Sequence, residues 1–268
     1  MLDTKTIDDL VRRLEGARQT QTPILQCSKT HPRMNLDDAY AVQHAWVAQS
    51  LAKGRVLQGY KIGLTSKPTQ LAFFADEPTY APLLDDVFFC GGEALPLSQF
   101  ISPKLEAELV FEFRKSVDPA AATVDAILDA VDAVRPALEI IDSRFDVIDL
   151  KTGSGRTVVD QVADFGTCAG VILGDRSFPL GGLDLERVEA TVSRNGSPEE
   201  SGVSSAVMGS PVNAIRWLVK QLASHGRRLE AGQRVLSGTF TKPVPLVAGD
   251  GIDVDYGPLG RVAFHCAC

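Results

Sequence analysis

The sequence predicts an α+β fold in which a few helices surround many strands. Short strand-like runs, several of them broken by glycines, fill most of the chain after residue 55, and they do not alternate regularly with helices as a parallel sheet would require. Clear amphipathic helices lie near the start of the chain and after Ser210-Pro211. With 268 residues, of which 44% are hydrophobic, the chain can form one large domain, or one domain with a small N-terminal extension.

The first 55 residues are predicted to form a helical region. Thr4 or Thr6 can cap a first helix, whose apolar stripe is formed by Ile7, Leu10, Val11 and Leu14. Asn35 is a suitable cap for a second helix, which ends near Gly54 and carries Ala39, Val42, Trp46 and Leu51 on one side. We expect residues 1–55 to form a layer that packs on a domain formed by residues 56–268.

Residues 56–64 are predicted to form a strand with an unusual lysine. Lys61 lies between Gly59 and Gly63 in an otherwise apolar run. The glycines allow close backbone approach, so the ammonium group would be held in a confined place. The alternative is a lysine whose stem is covered while its charge reaches solvent.

The run Lys104 to Phe113 is rich in β-forming residues and predicts a further strand. Residues two apart on a strand point to the same face, so Glu106 and Glu108 project side by side. Two carboxylates this close repel each other unless a proton or a cation lies between them. A divalent ion bound by oxygens is one solution. The alternative is a solvated strand edge.

A third glutamate interrupts another apolar strand, which extends from Val134 to Arg144. Burial of an isolated carboxylate is costly, so Glu139 needs a partner. A shared cation beside the first two glutamates would supply one. An ion pair with Arg135 or Arg144 is the alternative.

The remaining elements are one helix after Thr123, another after Ser210-Pro211, and several short strands. Residues 149–155 are polar and predict a mobile loop. The segment 158–174 is expected to end in a strand, and residues 185–195 are expected to form another, which turns at Asn195-Gly196. Short strands are also expected over residues 234–236, 251–256 and 260–265.

Composition excludes several classes of function. The net charge of −7 argues against a nucleic-acid-binding protein. No apolar run approaches the length of a membrane span and no export signal is present, which favours a cytoplasmic protein. The five cysteines lack metal-site spacing and are expected to be free thiols. We find no P-loop, dinucleotide fingerprint or nucleophile elbow.

Several motifs together resemble the 2-keto-4-pentenoate hydratase and 4-oxalocrotonate decarboxylase family of the fumarylacetoacetate hydrolase superfamily. The similarity extends over nearly the whole chain and is closest to the branch that handles 2-oxo-hept-4-ene-1,7-dioate. The motifs that carry it are residues 59–67, 104–109, 137–144, 209–213 and 229–233, with Ser237-Gly238.

The resemblance implies a mixed β-roll over residues 56–268 behind the small helical region. It implies Mg²⁺ or Mn²⁺ at Glu106, Glu108 and Glu139, a small-molecule 2-oxo acid that chelates this metal, and Lys61 beside the chelating group. It also implies a homo-oligomer that acts in the breakdown of aromatic compounds. Further substrate-binding positions would be Asp164, Thr167 and Ser237.

Three departures from the family pattern predict altered chemistry. Thr79 stands where the hydratases carry a proton-transferring aspartate, Asp164-Phe165-Gly166 replaces an Asp-Asn-Ala run, and His31-Pro32-Arg33 replaces Tyr-Pro-Glu. These departures favour an acylpyruvate hydrolase that cleaves a maleylpyruvate- or fumarylpyruvate-type acid into pyruvate and a dicarboxylic acid.

In that reaction His31 would activate water, because neutral imidazole is a suitable base near pH 7. Arg33, Arg144 or Lys242 would bind the distal carboxylate. The alternatives are a hydratase of 2-hydroxydienoates, an oxalocrotonate-type decarboxylase, or a catalytically silent partner subunit, with His31 as a surface loop residue.

Overall fold

The computed structural model describes residues 1–89, 91–92 and 94–268. Cys90, one of the cysteines predicted to be free, lies outside the described residues. The other four cysteines form no disulfide, as predicted: Cys27, Cys168, Cys266 and Cys268.

Three helices precede the first strand: α1 (Thr4–Thr20), α2 (Cys27–Thr30) and α3 (Leu36–Ala52). The cap of α1 is Asp3, whose carboxylate accepts a hydrogen bond from the Thr6 N–H at 2.8 Å, and not Thr4 or Thr6. Asn35 caps α3 as predicted, and its side chain and that of Asp38 each accept the other residue's backbone N–H. The predicted helical region is therefore present, with one short additional helix.

The strands of the described chain are, in order, β1 (Leu57–Gly63), β2 (Thr79–Leu84), β3 (Phe88–Phe89), β4 (Ala94–Pro96), β5 (Lys104–Phe113), β6 (Val131–Ile141), β7 (Cys168–Leu173), β8 (Glu189–Arg194), β9 (Ser197–Val203), β10 (Arg234–Leu236), β11 (Val244–Pro245), β12 (Gly251–Asp255) and β13 (Arg261–Ala267). Four further helices lie between them: α4 (Lys67–Ala72), α5 (Val124–Ala130), α6 (Val158–Ala163) and α7 (Pro211–Ser224). The α+β class predicted from the sequence is confirmed.

Two mixed sheets organise these strands. The larger has the order β2-β1-β10-β5-β6-β7-β3, with β11 paired to β5, and the smaller has the order β4-β13-β12-β8-β9. One continuous buried cluster contains apolar side chains from the N-terminal helices and from both sheets, among them Leu14, Trp46, Ile62, Leu109 and Val254. The separation of residues 1–55 from residues 56–268 therefore stays a prediction. None of the described helices is long and apolar enough to cross a membrane.

The larger sheet brings distant parts of the sequence to one place. The long strands β5 and β6 pair antiparallel, with Glu106 directly opposite Glu139. The short strand β10 lies between β1 and β5, so Lys61 pairs with Leu236, which in turn pairs with Val110. Lys61 is thus two strands away from the glutamates of β5.

Candidate metal centre and active site

Three glutamates converge where β5 meets β6. Glu106 and Glu108 lie on one face of β5, and Glu139 faces Glu106 across the ladder. One carboxylate oxygen of each lies within 4.8 Å of the others. Glu108 and Glu139 are buried, and Glu106 is partly buried. This cluster is a set of oxygen ligands that could hold a divalent cation.

Burial and mutual repulsion raise the pKa values of two of these carboxyl groups. Burial, followed by the charge of Glu139, raises the pKa of Glu106 to about 8. The same two causes raise the pKa of Glu108 well above its usual value. The pKa shifts of Glu106 and Glu108 therefore favour their protonated forms at neutral pH unless a cation replaces the protons.

Lys61 is the cation that the protein itself supplies. Its side chain is buried, its Nζ lies 3.0 Å from Glu139 Oε1, and the ammonium donates a hydrogen bond to the Gly166 carbonyl at 3.1 Å. Burial lowers the pKa of Lys61, but the negative charge of Glu139 and other neighbours outweighs burial and raises it above its usual value. Lys61 is thus confined and charged, as predicted, and does not extend to solvent.

The alternative ion pairs expected for Glu139 were wrong. Its partner is Lys61, because Arg135 lies 3.3 Å from Glu112 and Arg144 pairs with Asp164.

Several polar atoms in this region have no partner among the described residues. Glu108 uses Oε2 to accept the Gly238 N–H at 2.9 Å, but its Oε1 accepts nothing. Neither oxygen of Glu139 accepts a hydrogen bond, so Lys61 is held there as an ion pair alone. Buried carboxylate oxygens without donors are costly. A cation coordinated by them would remove that cost, so the donor set fits a divalent metal.

Two hydrogen-bonding side chains that the motifs did not single out as site residues lie next to Lys61. A Cβ atom built on Gly63 would lie 3.2 Å from Thr79 Oγ1, 3.5 Å from Lys61 Nζ and 3.8 Å from Gln161 Nε2. Thr79 Oγ1 and Gln161 Oε1 are buried without partners. The sequence singled out Thr79 only as a lost aspartate. Gln161 lies on α6, and nothing in the local sequence pattern indicated where its side chain would point.

Arg144 and Asp164 form a buried pair, which was not expected. The Asp164 carboxylate accepts hydrogen bonds from the Arg144 backbone N–H at 2.9 Å and from its Nε, and the guanidinium also donates to the Cys168 carbonyl at 3.0 Å. The two charges therefore compensate each other, and the pair connects residues 144 and 164–168. The substrate contacts predicted for Arg144 and Asp164 stay predictions.

Thr167 and Ser237 are buried close to the cluster. Thr167 donates its hydroxyl to the Gly166 carbonyl at 2.7 Å, the same oxygen that accepts from Lys61. Ser237 precedes Gly238, the donor to Glu108, and its hydroxyl has no partner among the residues that the structure describes. Both remain predicted substrate contacts.

His31, Arg33 and Lys242 are not brought to the glutamates by any contact within the described chain. His31 ends α2, where its Nδ1 lies 2.9 Å from the Thr30 hydroxyl, and it lines a groove with residues of α1 and α3. Arg33 and Lys242 are exposed. The structure thus gives no contact that supports His31 as a base or these two side chains as carboxylate ligands.

Comparison with curated proteins identifies close relatives, although no model of a protein family matches the sequence. The chain is 42% identical to 2-oxo-hept-4-ene-1,7-dioate hydratase of Escherichia coli, over 98% of each chain. It is 36% identical to 2-keto-4-pentenoate hydratase of Paraburkholderia xenovorans, over 95% of this chain and 93% of that one.

Comparison with solved structures agrees with the fold predicted by resemblance. The 4-oxalocrotonate decarboxylase of Pseudomonas putida G7, complexed with magnesium and adipate, has a TM-score of 0.93 and 29% identity over 99% of each chain. Fumarylpyruvate hydrolase of Pseudomonas aeruginosa, complexed with Mn²⁺ and pyruvate, has a TM-score of 0.60 and 15% identity over 79% of this chain and 90% of that one, which is a likeness of fold alone. The mixed β-roll of the fumarylacetoacetate hydrolase type is therefore confirmed.

These similarities correct the predicted reaction. The hydrolase expected from three substitutions is not supported, because the relatives with high identity are hydratases and the hydrolase shares only the fold. The alternative reaction is better supported. The chain belongs to the family of the 2-oxo-hept-4-ene-1,7-dioate and 2-keto-4-pentenoate hydratases.

Proposed function

We propose that this protein is a metal-dependent hydratase that adds water to 2-hydroxy-2,4-dienoic acids in the breakdown of aromatic compounds. The observation that carries the proposal is the convergence of three glutamate carboxylates, two of which have buried oxygens without partners, beside a buried lysine that is paired with Glu139. This constellation occurs in a chain that is 42% identical, over 98% of its length, to a hydratase.

We assign Glu106, Glu108 and Glu139 as the ligands of a divalent cation, Mg²⁺ or Mn²⁺. Carboxylate oxygens are the ligands that these hard cations prefer. The magnesium in the decarboxylase complex, from a relative of nearly the same fold, supports this assignment. A bound ion would be chelated by the 2-oxo acid and would act there as a Lewis acid.

Lys61 has a defined electrostatic role in this proposal. Its raised pKa keeps the ammonium protonated at neutral pH, so it cannot act as a base in its resting state. It can instead stabilise negative charge on the 2-oxygen and the carboxylate of the substrate, or donate a proton. Its ion pair with Glu139 and its hydrogen bond to Gly166 fix its direction.

Water addition also needs groups that orient the water molecule. The hydroxyl of water adds to C4, C3 and C5 each gain one proton, in balance with the second proton of water and the proton lost by the 2-enol, and the enol becomes the ketone of a 4-hydroxy-2-oxo acid. Thr79 and Gln161 offer buried, unpartnered oxygens near Lys61. A threonine hydroxyl can position water but is a poor proton acceptor. Thr79 therefore cannot replace the proton-transferring aspartate that the resemblance gives to the hydratases at this position.

Decarboxylation is the second candidate. The similarity to 4-oxalocrotonate decarboxylase, with a TM-score of 0.93, favours it, as does the absence of an acid at position 79. A decarboxylase uses the same metal chelation to stabilise an enolate, but it needs no oriented water.

One experiment separates these reactions. The protein is incubated with Mg²⁺ or Mn²⁺ and, in turn, with 2-hydroxypenta-2,4-dienoate, 2-hydroxyhepta-2,4-diene-1,7-dioate and 4-oxalocrotonate, and the products are identified by mass spectrometry. A 4-hydroxy-2-oxo acid supports the hydratase, whereas CO₂ from 4-oxalocrotonate alone supports the decarboxylase.

A homo-oligomer is a further part of the proposal, and light scattering of the purified protein tests it.

A further inference from the structure

A cavity of about 240 Å³ lies beside the glutamate cluster and includes an arginine that the sequence analysis did not single out. Its lining includes Lys104 and Ile141 from the paired strands, Phe145, Thr167 and Arg156. The volume is well above the roughly 30 Å³ that one water molecule occupies in the liquid. Part of a small ligand can therefore enter.

The strand register connects this cavity to the proposed metal site. Lys104 pairs with Ile141, and Glu106 pairs with Glu139, two residues further along the same ladder. Residues two apart share a face and lie about 7 Å apart along the strand. The cavity is therefore a continuation of the face that carries the glutamates. Thr167, on its other side, follows the Gly166 carbonyl that holds Lys61.

Arg156 brings an uncompensated positive charge to this cavity. Its Nε and Nη1 are buried and have no hydrogen-bond partner, which holds for no other arginine in the described part of the chain. The guanidinium lies 5.7 Å from the centroid of the Phe73 ring, which holds it in place without using its hydrogen-bond donors. Burial lowers the pKa of Arg156 in spite of the nearby acids Asp164 and Asp160.

The three acidic groups whose charges act most strongly on this arginine, Asp164, Asp160 and Asp142, are already engaged, whereas Asp146, which also lines the cavity, is not among these three. Asp142, which lines the same cavity, accepts the backbone N–H groups of Ile101 and Ser102 at 2.7 and 2.8 Å. Asp160 is bound to Ser28 and Thr157, and Asp164 to Arg144. A buried guanidinium without a carboxylate is costly, and an incoming carboxylate would remove that cost through charge-assisted hydrogen bonds.

We propose that Arg156 binds the second carboxylate of a dicarboxylic 2-oxo acid whose 2-oxo end lies at the glutamate cluster. This inference rests on the proposed function and names its substrate class: the extended dioate is preferred over an acid of the same length with an apolar end. Arg156 takes the role that the sequence analysis gave to Arg33, Arg144 or Lys242, two of which are exposed and one of which is neutralised by Asp164.

The test compares two unreactive ligands of equal length, 2-oxoheptanedioate and 2-oxoheptanoate. They share the chelating end and differ only in the distal carboxylate. Calorimetry with the Mg²⁺-loaded wild-type protein should show about 10- to 100-fold tighter binding of the dioate, the range expected for hydrogen bonds to a charged group. Equal affinities would overturn the inference.

Variants then assign the preference to the residue. Arg156→Met should abolish the dioate preference and leave the affinity for 2-oxoheptanoate unchanged, and Arg156→Lys should retain part of the preference. Arg176→Met is the matched control, because Arg176 also lies over a phenylalanine ring, that of Phe178, but on an exposed segment. If Arg156→Met keeps the full preference, Arg156 is not the ligand.

Failure of the Arg156 subsite can be distinguished from failure of the proposed function. If the wild-type protein binds neither 2-oxo acid in the presence of Mg²⁺, the proposed metal-chelating site is wrong and the inference falls with it. If both bind but Arg156→Met weakens them equally, the chelating site stands and the subsite is wrong. Calorimetric titration with Mn²⁺ and thermal melting show whether each variant retains the metal site and the fold.

Discussion

The metal-free protein should lose stability as the pH rises from 6.5 to 8. The pKa of Glu106 is raised to about 8 in the folded chain, and that of Glu108 is also raised. In this range the folded state therefore holds protons that the unfolded state has released. Stability falls with pH wherever the folded state binds more protons, by about 1.4 kcal/mol per pH unit for each such group.

The pH range is chosen to separate this effect from other groups. Burial lowers the pKa of His44 to about 4, so His44 adds stability as the pH rises from 4 to its unfolded value near 6.5. Glu15 and Asp129 have pKa values lowered from those of ordinary carboxyl groups, and the pKa of Lys61 is raised above that of an ordinary lysine, so none of these groups titrates in this range. Across 6.5 to 8, one or two raised carboxyl groups should together cost about 2–4 kcal/mol.

The assay is urea unfolding at several pH values with a chelator present. Glu108→Gln should remove about half of the loss, because it deletes one of the two groups that titrate. Glu112→Gln, on the same strand, is the control. Glu112 is partly exposed beside Arg135 and Arg234, so the variant should change stability by less than about 1 kcal/mol and leave the pH slope intact.

Saturating Mn²⁺ should abolish or reverse the slope, since metal binding requires ionised carboxylates and releases their protons. A metal-free protein whose stability is constant or increases between pH 6.5 and 8 would refute the reasoning. So would a Glu108→Gln variant with the wild-type slope.

Three other substitutions test the assigned roles. Lys61→Met should lower kcat about 10²–10³-fold at saturating Mg²⁺, because a positioned charge is lost from the reacting end of the substrate, and an unchanged kcat/KM would make the lysine structural. Arg144→Met should lower the free energy of unfolding by about 3–5 kcal/mol in urea titrations, because Asp164 is left as a buried unpaired charge. A second substitution, Asp164→Asn, should recover part of that loss. An Arg144→Met variant as stable as the wild type would contradict the pairing. His31→Ala should leave steady-state hydration unchanged, and a loss of about 10²–10⁴-fold would restore its role as a general base.

The sequence predicted the acidic half of the site for a simple geometric reason. Glu106 and Glu108 are two apart on a strand, and one carboxylate in an apolar strand, Glu139, requires a partner. Both arguments depend only on local pattern, and the register of β5 with β6 bears them out. The same arguments did not predict the partner of Lys61. The distance between β1 and β5 depends on β10, which lies between them and is formed by three residues from far along the chain.

The errors arose where the contacts are long-range or the pattern is silent. Arg144 was predicted to pair with Glu139 or to bind a substrate carboxylate, because its actual partner, Asp164, is twenty residues away, beyond a loop and a short helix. Arg156 follows a polar segment that predicts a loop, and only the fold reveals that its guanidinium is buried. The hydrolase prediction gave weight to His31, whose described contacts lie in the N-terminal helical region.

The central claim is that this site hydrates a dienoate through a metal held by three glutamates. The most direct measurement follows the 2-hydroxydienoate chromophore and its product with the metal-free protein, before and after addition of Mg²⁺ or Mn²⁺, for the wild type and for Glu139→Gln. We expect the wild type to form the 4-hydroxy-2-oxo acid only when metal is present and the variant to form none. Formation of that acid at the same rate in the presence of EDTA, or by Glu139→Gln, would contradict this expectation.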